Sequence, residues 1–108
     1  MTERAFDIVL YGASGFTGQL VAEYLASAHA ELRWAIAGRN QQKLERCRRD
    51  LGTPDLPILI ADSDDANQLK AMALQAKVII STVGPYARHG SLLLETCERE
   101  GTHYCDLT

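Results

Sequence analysis

The sequence lacks the marks of several protein classes. No apolar run approaches the roughly 18 residues of a membrane span, and the stretch Ile8–Tyr11 near the start is far too short. Met1–Asp7 is polar, so no signal peptide is read there and no integral membrane segment is expected. Positive charge is also scarce. Eleven Lys and Arg stand against fourteen Asp and Glu, a formal net charge of -3. No large basic face can form, which argues against nucleic acid or an anionic membrane as partner; a small basic pocket stays open. The cysteines Cys47, Cys97 and Cys105 are odd in number and far apart, with no CxxC pair and no zinc spacing. They read as free thiols of a reducing compartment, and a cytoplasmic location follows. Repeats, low-complexity tracts and linkers are missing too, so a single domain is expected over residues 1–108.

What is present is a regular alternation. Apolar runs rich in Ile and Val read as buried parallel strands at Phe6–Tyr11, Arg33–Ala37, Ile58–Ala61, Lys77–Thr82 and His103–Leu107. Between them the apolar spacing becomes helical. The first helix, from Thr17, is expected to turn Leu20, Val21, Tyr24, Leu25 and Ala28 inward. The second starts near Asn40, a good N-cap, carries Leu44, Cys47, Arg48 and Leu51 inward, and stops at Gly52. A third follows the capping-rich stretch Asp62–Asp65 with Leu69, Met72 and Ala73 inward. The fourth runs from about Ser91 to Glu100 with Leu93, Leu94 and Cys97 on its core side. Strands joined by helices demand right-handed crossovers. The expected fold is α/β: a doubly wound, Rossmann-like parallel sheet of about five strands in a three-layer αβα arrangement.

The most informative segment joins the first strand to the first helix: Gly12-Ala13-Ser14-Gly15-Phe16-Thr17-Gly18. Three glycines in that context suit a nucleotide diphosphate. Gly12 turns the chain sharply out of the strand, Gly15 lets the pyrophosphate approach bare backbone, and Gly18 lets the helix pack close to the sheet. Free N–H groups at the helix start and the helix dipole attract the negative charge. Ser14 and Thr17 can add hydroxyl donors. The spacing is GxxGxxG, wider than the GxGxxG of many NAD dehydrogenases, and no P-loop lysine follows.

An NAD site places a carboxylate about 20 residues beyond this turn, on the ribose 2′-hydroxyl. Here Arg39 stands 21 positions after Gly18, in Ala37-Gly38-Arg39-Asn40. Its planar guanidinium suits a 2′-phosphate and can stack on adenine. NADP(H) is therefore expected over NAD(H). Lys43, one turn on, reads either as a helper or as part of a solvated helix face. Asp62, at the end of the third strand, is open between accepting the adenine amino group and capping the third helix. Thr82, Val83, Gly84 and Pro85 close the fourth strand beside the switch in strand order, where Gly84 would admit the second ribose and Pro85 stiffen the loop.

No catalytic group emerges. His89 and His103 lack a defensible carboxylate partner and read as structural. Tyr86, Tyr104 and Asp106 could approach the nicotinamide, but the Tyr-xxx-Lys pair of short-chain reductases is absent.

The segments VLYGASGFTGQLVAEYL (9–25), WAIAGRNQQKL (34–44), STVGPYARHGSLLLETC (81–97) and GTHYCDLT (101–108) together resemble the saccharopine dehydrogenase-like oxidoreductases, a group that includes trans-acting enoyl reductases. The resemblance implies cofactor contacts at Gly12, Gly15, Gly18 and Arg39. It also implies a larger second domain holding a small-molecule or lipid-like substrate and often the contacts of a homodimer. On that basis the chain is expected to be the nicotinamide-dinucleotide half of a hydride-transfer enzyme acting on a carbonyl or enoyl group, inactive alone. The competing expectation is a non-catalytic nucleotide-binding or redox-sensing module.

Overall fold

In a computed structural model, the chain is described over residues 4–28, 31–82 and 87–106, without the side chains of residues 28 and 87–91. The elements are β1 (Phe6–Tyr11), α1 (Phe16–Ala28), β2 (Trp34–Gly38), α2 (Gln41–Leu51), β3 (Ile58–Ile60), α3 (Ala66–Ala73), β4 (Ala76–Ser81), α4 (Ala87–Glu100) and β5 (His103–Asp106). The five-stranded sheet has the order β3-β2-β1-β4-β5, and every pair is parallel. Strand order therefore reverses between β1 and β4, the place where open sheets of this kind receive ligands.

Alternation along the strands divides the core into two sets. Val9, Tyr11, Ala35, Ala37 and Ile79 pack with Leu69, Met72 and Ala73 of α3 and Leu93 and Cys97 of α4. Leu10, Ile36 and Trp34 pack on the other side with Ala22 and Leu25 of α1 and Leu44 and Cys47 of α2. This is the three-layer arrangement expected from the period-2 and period-3.6 patterns.

Three expected helix faces are corrected. On α1, Leu20 and Tyr24 are exposed, 53% and 59%, while Ala22 and Leu25 are buried. The cause is Gly18, whose Cα lies so near the Gly12 turn that it fixes the rotation of the helix. Gly18, Ala22 and Leu25 then follow one another down the sheet side at i, i+4 and i+7. On α4, which begins one turn earlier than expected, Leu94 is exposed and Thr96 is buried in its place, its hydroxyl donating to the Leu92 carbonyl at 2.7 Å. On α2, Arg48 and Leu51 are half-buried rather than inward. Arg48 donates to the Leu56 carbonyl at 3.0 Å.

Candidate functional site

The turn after β1 begins at Gly12, whose φ of 91° is a left-handed value that side chains oppose. Gly15 donates its N–H to the Gly12 carbonyl at 3.1 Å, and its own carbonyl accepts Gln19 N–H at 2.9 Å. Gly15 is thus the cap of α1, and the N–H groups of Phe16, Thr17 and Gly18 that follow have no carbonyl behind them within the helix. Ser14, Gly15, Phe16 and Thr17 are all exposed at this end, whereas Ala13 is buried under the turn. Cys47 supports that underside, with Sγ donating to the Ala13 carbonyl at 3.7 Å.

The three glycines differ in why they are glycines. At Gly18 a Cβ would overlap the Gly12 carbonyl oxygen and lie 2.8 Å from Ala13 Cα, so protein packing alone forbids a side chain. At Gly15 a Cβ would make only ordinary contact, 3.6 Å from the same oxygen. Nothing inside the described protein requires a glycine there. A side chain at Gly15 would stand on the exposed face of the turn.

Beside this turn a cavity of about 320 Å³ is lined by Tyr11, Gly12, Ser14, Gly38, Arg39, Asn40, Lys43 and Ser63. That is near the lower end of ligand-site volumes, room for one half of a dinucleotide. Arg39 and Lys43 are exposed at its mouth, and neither forms an ion pair among the described residues. Asn40 caps α2, its side-chain oxygen accepting Lys43 N–H at 3.0 Å. The cap points the first turn of α2, and Lys43 with it, toward the cavity. A larger hollow of about 520 Å³ lies at the N-terminal ends of β1 and β2, near Phe6 and Trp34. Size alone would select it. Its position, at the edge of the sheet away from the glycine turn and the exposed N–H groups, decides against it.

Of the two roles expected for Asp62, the structure gives the helix cap to another residue. Asp65, not Asp62, caps α3 by accepting Gln68 N–H at 3.0 Å. Asp62 closes its own turn, Oδ1 accepting Asp64 N–H at 2.9 Å, and it does not line the cavity. Ser63, one residue on, does. Thr82 is held inward, its hydroxyl donating to the Gly12 carbonyl at 3.0 Å, so it braces the glycine turn from β4. Val83, Gly84, Pro85 and Tyr86 lie outside the described residues. His89 falls in α4, and His103 is exposed on β5. Tyr104 donates to Asp106 Oδ2 at 3.2 Å at the end of β5, and burial raises its phenol above the usual range. Ser63 and Tyr11 escaped the sequence reading, since neither belongs to the glycine motif by type. The position of Tyr11, directly before Gly12, was the one available hint.

A parallel sheet reversing between β1 and β4, with three glycines in the turn at that point, defines a Rossmann-like dinucleotide-binding domain. The chain belongs to the saccharopine dehydrogenase NADP binding domain family, which it matches over residues 8–108. It is 48% identical over 108 residues to a trans-acting enoyl reductase of Mycobacterium leprae, covering 98% of this chain and 26% of that protein. A putative trans-acting enoyl reductase of Mycobacterium tuberculosis is 50% identical over 109 residues, with 99% and 26% covered. The chain therefore spans about a quarter of the length of these relatives. Among solved structures, apo saccharopine dehydrogenase (L-Glu forming) from Saccharomyces cerevisiae superposes with a TM-score of 0.77 at 22% identity, covering 94% of this chain and 21% of that one. The Citrobacter sp. triphenylmethane reductase complexed with NADP(H) gives 0.72 at 16% identity, over 94% and 36%. These two likenesses concern the fold. Among the described residues, no helix is long and apolar enough to cross a membrane.

Proposed function

We propose that this chain is the NADP(H)-holding part of an oxidoreductase that reduces a carbonyl or enoyl group. Its family is NADP-binding, and the cavity beside the glycine turn suits the adenosine half of that nucleotide. The observation that carries the reading is the pairing of Arg39 and Lys43 on one cavity, with no carboxylate lining it among the described residues. Arg39 presents a fork to a ribose 2′-phosphate, and Lys43 adds a point charge. The exposed N–H groups of Phe16 and Thr17, with the dipole of α1, receive the diphosphate, and Gly15 lets it come close. Ser14 and Thr17 supply hydroxyls at the same edge, and Thr82 keeps the turn in shape from β4.

When bound, the nucleotide supplies the hydride. This chain's residues bind and orient it. The substrate, in this reading, is held by a further domain, which would also supply homodimer contacts; trans-acting enoyl reductases about four times as long are the relatives that motivate it. A cytoplasmic setting fits the three free cysteines Cys47, Cys97 and Cys105. Fluorescence titration of the 108-residue chain with NADPH and NADH tests the binding step. Tighter NADPH binding is expected; equal affinities would overturn the assignment of Arg39 and Lys43.

A further inference from the structure

Tyr11 is the last residue of β1 and is buried directly beneath the glycine turn. The period of the strand points it to the α3–α4 side of the sheet with Val9. Its hydroxyl donates to the carbonyl of Ala61 at 2.9 Å, fifty residues away in the chain, just past the end of β3.

Between β1 and β3 lies β2, so the phenol spans a distance of roughly two strand spacings, about 10 Å from backbone to backbone. Passage is open because the intervening strand carries Ala35 and Ala37 on that face, both fully buried. A larger residue at Ala37 would block the ring. Burial pushes the phenol up to about 12, so the hydroxyl stays protonated and a donor throughout the working pH range.

The turn that follows Ala61 is not ordinary core. Ser63 is half-buried and forms part of the cavity wall with Arg39, Asn40 and Lys43, and Tyr11 itself forms part of that wall. One phenol therefore ties the strand that feeds the glycine turn to the loop that completes the far side of the same cavity.

We propose that Tyr11 is a positioning residue for nucleotide selectivity, its hydroxyl holding the 61–63 turn so that the Ser63 hydroxyl faces the ribose 2′-phosphate beside Arg39 and Lys43. The inference rests on the reading that this cavity takes the phosphorylated ribose. It adds a third, neutral donor that is held through the core.

The test is isothermal titration of the chain with 2′,5′-ADP and with 5′-ADP, for the wild type, Tyr11→Phe, Ser63→Ala and the double variant. One lost hydrogen bond to the charged phosphate, at the low end for a solvent-facing site, corresponds to about 10-fold in affinity. Each single variant should weaken 2′,5′-ADP by about that factor while changing 5′-ADP less than about twofold. The double variant should be no weaker than the singles, because both act through one hydroxyl. A purely structural Tyr11 would weaken both ligands equally, or neither, and that result would overturn the proposal. So would losses that multiply in the double variant. Should Tyr11→Phe fail to fold, Ser63→Ala decides alone: an undiminished preference for 2′,5′-ADP refutes the role of Ser63. A wild-type chain with no preference between the two ligands overturns the underlying nucleotide reading, and this inference with it.

Discussion

The Gly18 Cα rests against the Gly12 carbonyl so closely that even one methyl group on it would overlap that oxygen. This contact seats α1 on the sheet. It leaves the neighbouring N–H groups facing outward, and it rotates Leu20 and Tyr24 away from the core. Fold and site therefore share one point of closest approach, and the two glycines of the turn beyond Gly12 can be separated by experiment.

Gly18→Ala must displace backbone rather than a flexible side chain, so it should destabilise the chain by about 3 kcal/mol or more. For a domain of this size that lowers Tm by more than about 10 °C. Gly15→Ala meets no such obstacle. Its loss of a glycine cap and its gain from a stiffer unfolded chain roughly offset, within about 1 kcal/mol. Its effect should fall on NADPH affinity instead. Thermal melts and titrations of both variants check this, and equal stabilities would show that the packing argument for Gly18 is wrong.

Arg39→Asp should reverse nucleotide preference. A charged hydrogen bond contributes about 1.5–3 kcal/mol, but Arg39 is exposed and screened. The lower end applies, about tenfold in the NADPH to NADH ratio, and a carboxylate at that position would add repulsion of the 2′-phosphate. Lys43→Ala should reduce the ratio in the same direction by a smaller factor. Ratios measured at low and high salt should converge; an Arg39→Asp chain that still prefers NADPH would remove Arg39 from the phosphate site.

Asp7, at the start of β1, accepts hydrogen bonds from the Arg33 backbone N–H at 3.1 Å and side chain at 3.2 Å, and lies 3.2 Å from Lys77 Nζ. Arg33 chiefly, and then Lys77, hold its carboxyl down at about 2, against an ordinary 3.8. A carboxyl whose folded value is depressed stabilises the native state above its unfolded value and loses that contribution as pH falls. The wild type should therefore lose Tm more steeply than Asp7→Asn between about pH 4 and pH 2. Parallel profiles would mean that the cluster contributes nothing to folding.

The cysteines should label in two classes. Cys105 is exposed, while Cys47 and Cys97 are buried. Burial raises both inner thiols, Cys97 to about 11, so little thiolate forms on either at neutral pH. Iodoacetamide on the native chain should modify one site quickly and the other two only with unfolding. Mass spectrometry showing Cys47 modified first would mean that the glycine turn opens readily, since that thiol sits against the Ala13 carbonyl.

The sequence alone determined the order of the elements, the positions of the three glycines, and an arginine where a carboxylate would mark NAD. These are local properties: strand and helix periods, turn chemistry and the charge of one residue after β2 are written within a few positions of each other. Only the tertiary structure decided which way α1 faces, because apolar spacing admitted Leu20 and Tyr24, and a single glycine contact turned them outward. It also chose Asp65 over Asp62 as the α3 cap, turned the Thr82 hydroxyl onto Gly12, and brought Ser63 and Lys43 to one cavity with Arg39. Each of those depends on groups far apart in the chain meeting at hydrogen-bond distance, as Tyr11 and Ala61 do. Such meetings follow from how helices and strands stack on one another, which no local pattern encodes.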